Sequence, residues 1–163
     1  MNGAGTTVGY AAVQMALRKG SRVIASAGKT YADALRALGA QVTDYGEGMA
    51  DRVLELAGGR VDLALDTAPV SDCLPEIIPT VGKPADVLTL GNSAAGHELG
   101  VRTQFSENAV HDPSPVLGEY ARLAAEGRFT VPVARAVPLA DWRAAAELSL
   151  SGRPGGKLVL RLK

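Results

Sequence analysis

The sequence has few of the features that mark secreted, membrane or nucleic-acid-binding proteins. Among 163 residues there is one cysteine, Cys73, which excludes a disulfide within the chain and a zinc site built from several cysteines. Seventeen basic residues balance seventeen acidic ones, and no basic cluster predicts nucleic-acid binding. No apolar run approaches the ~20 residues of a membrane-spanning helix, and no signal segment opens the chain. We therefore expect a cytoplasmic protein with neither a nucleic-acid nor a membrane partner.

The most informative pattern is the opening segment, which has the sequence MNGAGTTVG. Three glycines, Gly3, Gly5 and Gly9, stand ahead of an apolar pattern typical of a helix. Glycine permits a tight turn and the close approach of a pyrophosphate, and the first N–H groups of the helix then point at the anion. The spacing is one residue longer than G-x-G-x-x-G, so taken alone the pattern fits an ordinary tight turn equally well.

Strand and helix patterns alternate along the rest of the sequence. This alternation predicts an α/β fold with a doubly wound parallel sheet of the Rossmann type. Because only Met1 and Asn2 precede the glycines, the first strand is predicted to be truncated. The other predicted strands are 22–27, 41–45, 61–66, 86–91 and 157–162, with 99–105 as a further candidate. The predicted helices are 8–19, 31–38, 49–57, 72–78, 115–126 and 139–151, with a turn at 111–115.

The end of the strand at 22–27 bears on the choice of dinucleotide. A carboxylate there would bind the adenosine ribose hydroxyls of NAD, whereas a small residue with a nearby cation would admit the 2′-phosphate of NADP. No acid follows the strand until Asp33, Ser26 can donate to a phosphate, and Lys29 can supply charge. The sequence therefore favours NADP(H), although an exposed loop lysine is the ordinary alternative. The missing acid also weighs against a methyltransferase.

Eight segments, in this order, resemble the medium-chain dehydrogenase/reductase superfamily in its zinc-free quinone oxidoreductase branch. They are NGAGTTVGYAAVQMA, RVIASAG, LRALGAQVTDY, VDLALDT, VLTLGNSAAG, LAAEGRF, VPLADWRAA and GKLVLRL. The resemblance covers nearly the whole chain. It implies NADPH-dependent hydride transfer to a small quinone, enone or related carbonyl substrate, with the cofactor NADP(H) lying across the carboxyl ends of the parallel strands.

The resemblance also implies positions for the cofactor contacts. The loop 3–9 would face the pyrophosphate, Ser26, Lys29 and Tyr45 would lie near the 2′-phosphate, and the chain after residue 91 would pass the nicotinamide. The ordinary alternatives are a tyrosine that closes a short strand and an asparagine in a turn. The predicted cofactor-binding residues are Gly3, Ala4, Gly5, Thr6, Thr7, Val8, Gly9, Ser26, Lys29, Tyr45, Asn92 and Ser93. No catalytic residue is assigned. No metal site is expected, because the spacing of His97 and His111 matches no known ligand set.

The chain departs from the family's pattern in the glycine loop. Many relatives have glycine in place of Thr6, and a small residue is usual where this chain has Tyr10. Both departures place bulk near the predicted pyrophosphate site. They leave open two alternatives to an oxidoreductase: a non-catalytic NADP-binding module, and a nucleotide-free interaction protein with the same fold.

The resemblance further divides the chain. Residues 1–128 correspond to a Rossmann NADP-binding domain, and 129–163 to a helix and strand that in relatives pack on an amino-terminal catalytic domain with no counterpart in this sequence. An apolar strand at 157–162 without its usual cover, together with a truncated first strand, predicts a homodimer, a larger assembly or dependence on a separate chain.

Overall fold

The computed structural model describes residues 1–69, 72–103, 114–152 and 154–162, and for Ser114 the backbone only. The described residues form two compact units, 1–130 and 131–163. The strands are β1 Ile24–Ser26, β2 Gln41–Thr43, β3 Ala64–Asp66, β4 Val87–Thr89, β5 Val133–Pro138 and β6 Lys157–Arg161. The α-helices are α1 Thr7–Arg18, α2 Lys29–Ala37, α3 Met49–Ala57, α4 Leu74–Ile77, α5 Ser93–Glu98, α6 Ser114–Ala125 and α7 Trp142–Leu150. Short 3₁₀ turns lie at Ile78–Thr80, Pro84–Asp86 and Leu139–Asp141.

In the first unit the strands run parallel around the two opening residues, here called the leading segment. Met1 exchanges hydrogen bonds with β1 on one side, where its carbonyl accepts from the Ser26 N–H (2.9 Å). Asn2 donates from its N–H to the Leu65 carbonyl of β3 on the other side (2.8 Å). β1 pairs with β2 and β3 with β4, and Arg102 forms a parallel bridge to Leu88 at the far edge.

This arrangement fixes the order of the strands. Across the first unit it is β2, β1, leading segment, β3, β4 and finally residue 102. That order is the one found in doubly wound dinucleotide-binding sheets, with its reversal at the leading segment. The predicted α/β class, the parallel sheet and the truncated first strand are therefore confirmed.

Two apolar clusters cover the sheet of the first unit. One joins Val13 of α1 and Leu35 of α2, both fully buried, to β1. The other joins α3 and α4 to Val87 of β4. At the end of this unit the buried Gln14 side chain donates to the Thr130 carbonyl (2.7 Å) and accepts from the Thr130 N–H (3.0 Å), which fixes that residue against α1.

The second unit is a single β-helix-β motif. β5 and β6 are parallel, with Val137 opposite Leu160, and the connection between them is a 3₁₀ turn followed by α7. β5 was not predicted from the sequence, because the prolines at 132 and 138 bound it and proline usually marks a strand's end or edge. The helix predicted over 139–151 begins as a 3₁₀ turn at Leu139–Asp141 and becomes α-helical only at Trp142.

Other element boundaries also differ from the prediction. β1 and β3 are three residues long rather than six, which is the length over which they pair with β2 and β4. The candidate strand 99–105 is reduced to one bridge at Arg102, and the helix α5 before it was not predicted. Residues 104–105 of that candidate and 111–113 of the predicted turn lie outside the described residues. No helix within the described ranges combines the length and apolar character that crossing a membrane requires.

Candidate nucleotide-binding site

The candidate site lies where the strand order reverses, between the leading segment and β3. In open parallel sheets, ligands bind in the crevice at the carboxyl ends of the strands at such a point. In this chain that position lies between the glycine turn after Asn2 and the loop after Asp66, and we call it the crevice. All of the groups discussed below belong to the first unit.

Gly3 makes the turn that leaves the leading segment. Its φ is +69°, a left-handed conformation that side-chain-bearing residues rarely adopt, and a Cβ there would lie 2.5 Å from the Ala68 nitrogen. The turn is closed by a hydrogen bond from the Thr6 N–H to the Gly3 carbonyl (2.9 Å) and anchored to β1 by one from the Ala4 N–H to the Ser26 carbonyl (3.1 Å). The glycine at this position is therefore required by the backbone itself.

Gly9 allows α1 to approach the turn. It is buried, and a Cβ on it would overlap the Gly3 carbonyl oxygen and lie 2.6 Å from Thr67 Oγ1. The absence of a side chain thus sets the distance between the first turn of α1 and the end of β3. Because Gly9 is buried against Gly3 and Thr67, its part in cofactor binding would be to position the helix.

Thr6 caps α1 rather than filling the crevice. Its Oγ1 accepts from the Gly9 N–H (3.0 Å), which is the usual role of threonine at a helix N-cap. No group in the described parts of the chain accepts a hydrogen bond from the N–H of Gly5, Thr7 or Val8. Three backbone donors therefore remain for an anion at the start of a 12-residue helix, whose dipole also favours negative charge.

Tyr10 does not occupy the crevice either. It is 7% exposed, belongs to the apolar cluster of α1 and β1, and packs edge-on against Tyr31 with ring centroids 6.0 Å apart. The Tyr31 ring in turn lies beside Gly5, where a Cβ would be 3.1 Å from the ring edge. The Tyr10 side chain, which the sequence places near the glycine loop, is thus packed into the apolar core.

A buried carboxylate joins the carboxyl ends of the strands. Asp66 is fully buried; its Oδ1 accepts from the Asn2 amide (2.9 Å) and the Ala68 N–H (3.1 Å). Its Oδ2 accepts from the Thr89 hydroxyl (2.8 Å) and the Asn92 amide (2.9 Å). The Asn2 side chain also accepts a hydrogen bond from the Ser26 hydroxyl. These contacts link β1, the leading segment, β3, β4 and the loop after β4 through one network.

Residues 92 and 93 differ in what they present to the crevice. Asn92 is buried, and its amide is directed at Asp66, in line with the ordinary alternative of a structural turn residue. Ser93 is exposed at the first position of α5. If the nicotinamide passes here, Asn92 acts on it by shaping the loop, and Ser93 is the more accessible side chain.

The three residues predicted near the adenosine 2′-phosphate are also placed differently. Ser26 is 3% exposed and its hydroxyl is engaged by Asn2, so its side chain holds the network together. Lys29 is exposed in the first turn of α2, directly after Gly28. The Tyr45 ring is 67% exposed and lies against Gly28, 3.5 Å from where a Cβ would stand. Lys29 and Tyr45 thus both adjoin Gly28, just after the end of β1.

Other polar groups near the site have structural roles. The buried Met1 α-amino group donates to the Ile24 carbonyl (2.8 Å), and burial lowers its pKa to about 6, while the Asp66 charge acts in the opposite direction.

Within the described residues, no three His, Cys, Asp or Glu side chains group as a metal site. His111 lies outside those residues, so the zinc-free assignment stays a prediction.

Comparison with known proteins places the chain in a family. Residues 38–160 match the sequence profile of a family described as zinc-binding dehydrogenase, and the chain belongs to that family. The predicted relation to the medium-chain dehydrogenase/reductase superfamily is confirmed by this match. No curated protein matches the chain significantly in sequence.

Solved structures of oxidoreductases share the fold. The Escherichia coli quinone oxidoreductase, solved in complex with NADPH, is 22% identical with a TM-score of 0.76 over 98% of this chain and 55% of that one. The quinone oxidoreductase of Pseudomonas syringae pv. Tomato DC3000 is 23% identical with a TM-score of 0.73, over 98% and 55%. A probable oxidoreductase from Mycobacterium abscessus is 25% identical with a TM-score of 0.63, over 98% and 52%. The chain therefore spans about half the length of these proteins.

Substitution Gly9→Ala tests the close approach of α1. In an ordinary helix interior, alanine is more favourable than glycine by about 1 kcal/mol. Here the new methyl group would overlap the Gly3 carbonyl, so we expect the free energy of unfolding to fall by about 1–3 kcal/mol in urea denaturation. The matched control is Gly118→Ala in α6, where the added Cβ would meet no atom within 4 Å beyond the backbone of its own helix, so stability should rise. Equal changes in both variants would contradict the proposed contact.

Substitution Asp66→Asn tests the buried network. An amide presents a donor where the carboxylate accepts from Asn2 and Ala68 or from Thr89 and Asn92, so hydrogen bonds to a charged group are lost on at least one side. We expect a loss of stability on the order of 3 kcal/mol, measured by chemical denaturation. Asp62→Asn, at an exposed position just before β3, should change stability by less than about 0.5 kcal/mol. Similar losses in the two variants would show that Asp66 does not organise the strand ends.

Proposed function

We propose that this chain is the dinucleotide-binding part of an NADP(H)-dependent oxidoreductase that acts on a small quinone, enone or related carbonyl compound. The observation that carries the proposal is the glycine turn at the strand-order reversal, where the N–H groups of Gly5, Thr7 and Val8 have no acceptor in the described parts of the chain. Membership in the zinc-binding dehydrogenase family and the fold shared with quinone oxidoreductases support the same function.

The pyrophosphate fits the turn on chemical grounds. Three backbone N–H donors and the amino terminus of a helix suit a pyrophosphate, because phosphate oxygens accept hydrogen bonds and the helix dipole favours negative charge. Thr6 and Tyr10, the residues that favoured a nucleotide-free interaction protein, face the helix cap and the core respectively. The structural basis for that alternative is therefore weak.

The preference for NADP(H) is proposed from the ends of β1 and β2. The first acid after β1 is Asp33, whose carboxylate pairs with Arg36 at 2.9 Å on the exposed face of α2. At the start of that helix the exposed Lys29 offers a cation, and Tyr45 offers an exposed ring beside Gly28. A cation and an aromatic ring without a competing carboxylate suit a phosphate monoester better than a free ribose hydroxyl.

The chain would contribute to catalysis by positioning the dinucleotide. When bound, the nicotinamide supplies a hydride from its C4 to an electrophilic carbon of the substrate. The residues of this chain would hold the dinucleotide along the strand ends and orient its nicotinamide end by the loop that Asp66 fixes through Thr89 and Asn92. No side chain described here is assigned as a general acid.

Assembly of copies remains part of the proposal. In the second unit, Val133 of β5 and Leu160 of β6 are 55% and 42% exposed, and Leu162 just after β6 is 80% exposed. A two-stranded parallel sheet with exposed apolar side chains is rare without cover. We propose that this unit is covered by a second copy or by another chain, which light scattering after size-exclusion chromatography would detect.

Nucleotide binding is tested by thermal shift with NADPH and NADH. At 100-fold excess over the Kd, a ligand adds about 2.7 kcal/mol of stability, so binding should raise the melting temperature measurably. We expect NADPH to stabilise more than NADH, and Lys29→Ala to weaken NADPH binding about tenfold while leaving NADH unchanged. The control is Lys19→Ala, which changes an exposed lysine at the carboxyl end of α1, the end away from the glycine turn. Equal shifts by the two nucleotides would contradict the NADP(H) preference.

A turnover assay separates the remaining functions. Consumption of NADPH with a quinone or an enone would establish the oxidoreductase. Binding of NADPH without consumption would favour a non-catalytic NADP-binding module. Stabilisation by neither nucleotide would favour the interaction protein and overturn the proposal.

A further inference from the structure

The loop between β2 and α3, residues 44–48, carries Tyr45 to the predicted 2′-phosphate site. The Tyr45 ring lies against Gly28, just after β1. Two residues of the loop, Gly46 and Gly48, have φ angles of +89° and +71°, in the left-handed region that favours glycine. Because glycine also gives the backbone its greatest freedom, the loop's own sequence does little to fix its path. A stable position for Tyr45 therefore depends on contacts from outside the loop.

Those contacts come from Arg52, the fourth residue of α3. Its Nε donates to the hydroxyl of Thr43, the buried last residue of β2 (3.1 Å). Its Nη2 donates to the Asp44 carbonyl (3.2 Å), and its Nη1 donates to the Glu47 carbonyl (3.0 Å). The two carbonyls lie on either side of Tyr45 in the sequence. One guanidinium thus ties both parts of the loop to the end of β2 and to α3.

The surroundings of Arg52 give its guanidinium no other task. A cation near the amino terminus of a helix is disfavoured by the helix dipole, so its position requires a compensating interaction. Within the described parts of the chain, no carboxylate lies within ion-pair distance of it. All three of its acceptors are neutral oxygens of β2 and the loop. The side chain therefore serves to hold the loop.

We propose that Arg52 is a positioning residue for the adenosine 2′-phosphate of NADP(H), because it fixes the loop 44–48 so that Tyr45 stands beside Gly28 and Lys29. This inference rests on the proposed function, since it concerns the choice between NADPH and NADH at that site. Arg52 acts through Tyr45. Because the two nucleotides differ only in the 2′-phosphate, loss of Arg52 weakens the binding of NADPH more than that of NADH.

The three acceptors require arginine rather than a positive charge alone. A guanidinium presents five N–H donors in a fixed planar fork, and here a different nitrogen serves each acceptor. The ammonium group of lysine is a single point on a flexible stem. Substitution Arg52→Lys therefore keeps the charge but gives up most of the hold on the loop, which separates positioning from simple electrostatic attraction.

Arg22 offers a matched control at the other end of the same helix. Its Nη2 donates to the carbonyls of Leu56 and Ala57 (2.9 and 3.0 Å), so it also binds backbone oxygens of the α3 region. Arg22 precedes β1, whereas Tyr45 follows β2. In a parallel sheet these positions lie at opposite ends of the strands, so Arg22→Ala removes similar hydrogen bonds away from the candidate site.

The hold on the loop is measured first, without nucleotide, by limited chymotrypsin digestion of the full chain. Chymotrypsin cleaves after tyrosine where the backbone can open locally, and Tyr45 is 67% exposed. We expect the fragment 1–45, followed by mass spectrometry, to form at least tenfold faster in Arg52→Ala and Arg52→Lys than in the wild type. Cleavage after Tyr120 in α6 is the internal reference for overall stability. Arg22→Ala should leave the ratio of the two cleavage rates unchanged.

The effect on the nucleotide is measured next, as the Kd of NADPH and of NADH. We expect Arg52→Ala to raise the Kd of NADPH about tenfold and that of NADH less than twofold, with Arg52→Lys resembling Arg52→Ala and Arg22→Ala resembling the wild type. Tyr45→Ala should weaken NADPH binding by a similar factor. In the Tyr45→Ala background, Arg52→Ala should change the Kd of NADPH less than twofold, because the two residues act as a unit.

Several outcomes would overturn the inference. Unchanged cleavage after Tyr45 in Arg52→Ala would do so whether or not the chain binds a nucleotide, as would equal weakening of NADPH and NADH. Additive effects of Arg52→Ala and Tyr45→Ala, or full recovery in Arg52→Lys, would point instead to a direct ion pair between Arg52 and the phosphate. A wild-type chain that binds neither nucleotide would overturn the proposed function and the specificity role with it, while faster cleavage in Arg52→Ala would still establish the hold on the loop.

Discussion

The carboxylate of Asp66 is the interaction on which the rest of the first unit depends. It is fully buried at the end of β3 and accepts hydrogen bonds from the leading segment, from β4 and from the loop after β4. An apolar residue there would remove the buried acceptor of the Asn2 and Asn92 amides and of the Thr89 hydroxyl, which is costly. One side chain thus holds together the strand ends that border both halves of the crevice, so the geometry of the glycine turn and of the loop near Ser93 is set jointly.

Packing adds a second constraint of a different kind. Gly9 lets α1 lie against the turn and the end of β3, Tyr10 and Tyr31 fill the space behind the turn, and Thr6 caps the helix. None of these groups needs to touch a ligand. The N–H groups of Gly5, Thr7 and Val8 have no acceptor in the described parts of the chain, and such free donors are what an anion-binding turn requires. The proposed site would therefore be built mainly from backbone groups, with side chains that position them.

Much of the fold followed from the sequence, because glycine placement and apolar periodicity report local geometry directly. Helix α3 has the predicted bounds, and the parallel order of the first unit is the one that strand–helix alternation implies. The site was harder to predict in detail. That Ser26 and Asn92 contact the cofactor stays a prediction, but their hydrogen bonds to Asn2 and Asp66, 24 and 26 residues away in sequence, were not predicted. Pairing between residues so far apart depends on the folded strand order, and no local pattern distinguishes a polar residue that binds a ligand from one that satisfies a buried carboxylate.

The distribution of aromatic residues has a practical consequence. The one tryptophan, Trp142, lies in the second unit with 45% of its surface exposed and the Arg143 guanidinium over its ring, whereas all four tyrosines lie in the first unit. Emission excited at a wavelength that tyrosine does not absorb therefore originates in the second unit alone. Tyrosine absorbance and the tyrosine bands of the near-ultraviolet circular dichroism spectrum report on the first unit. The chain thus carries its own pair of optical reporters, which can reveal whether its two units lose structure in one step or in two.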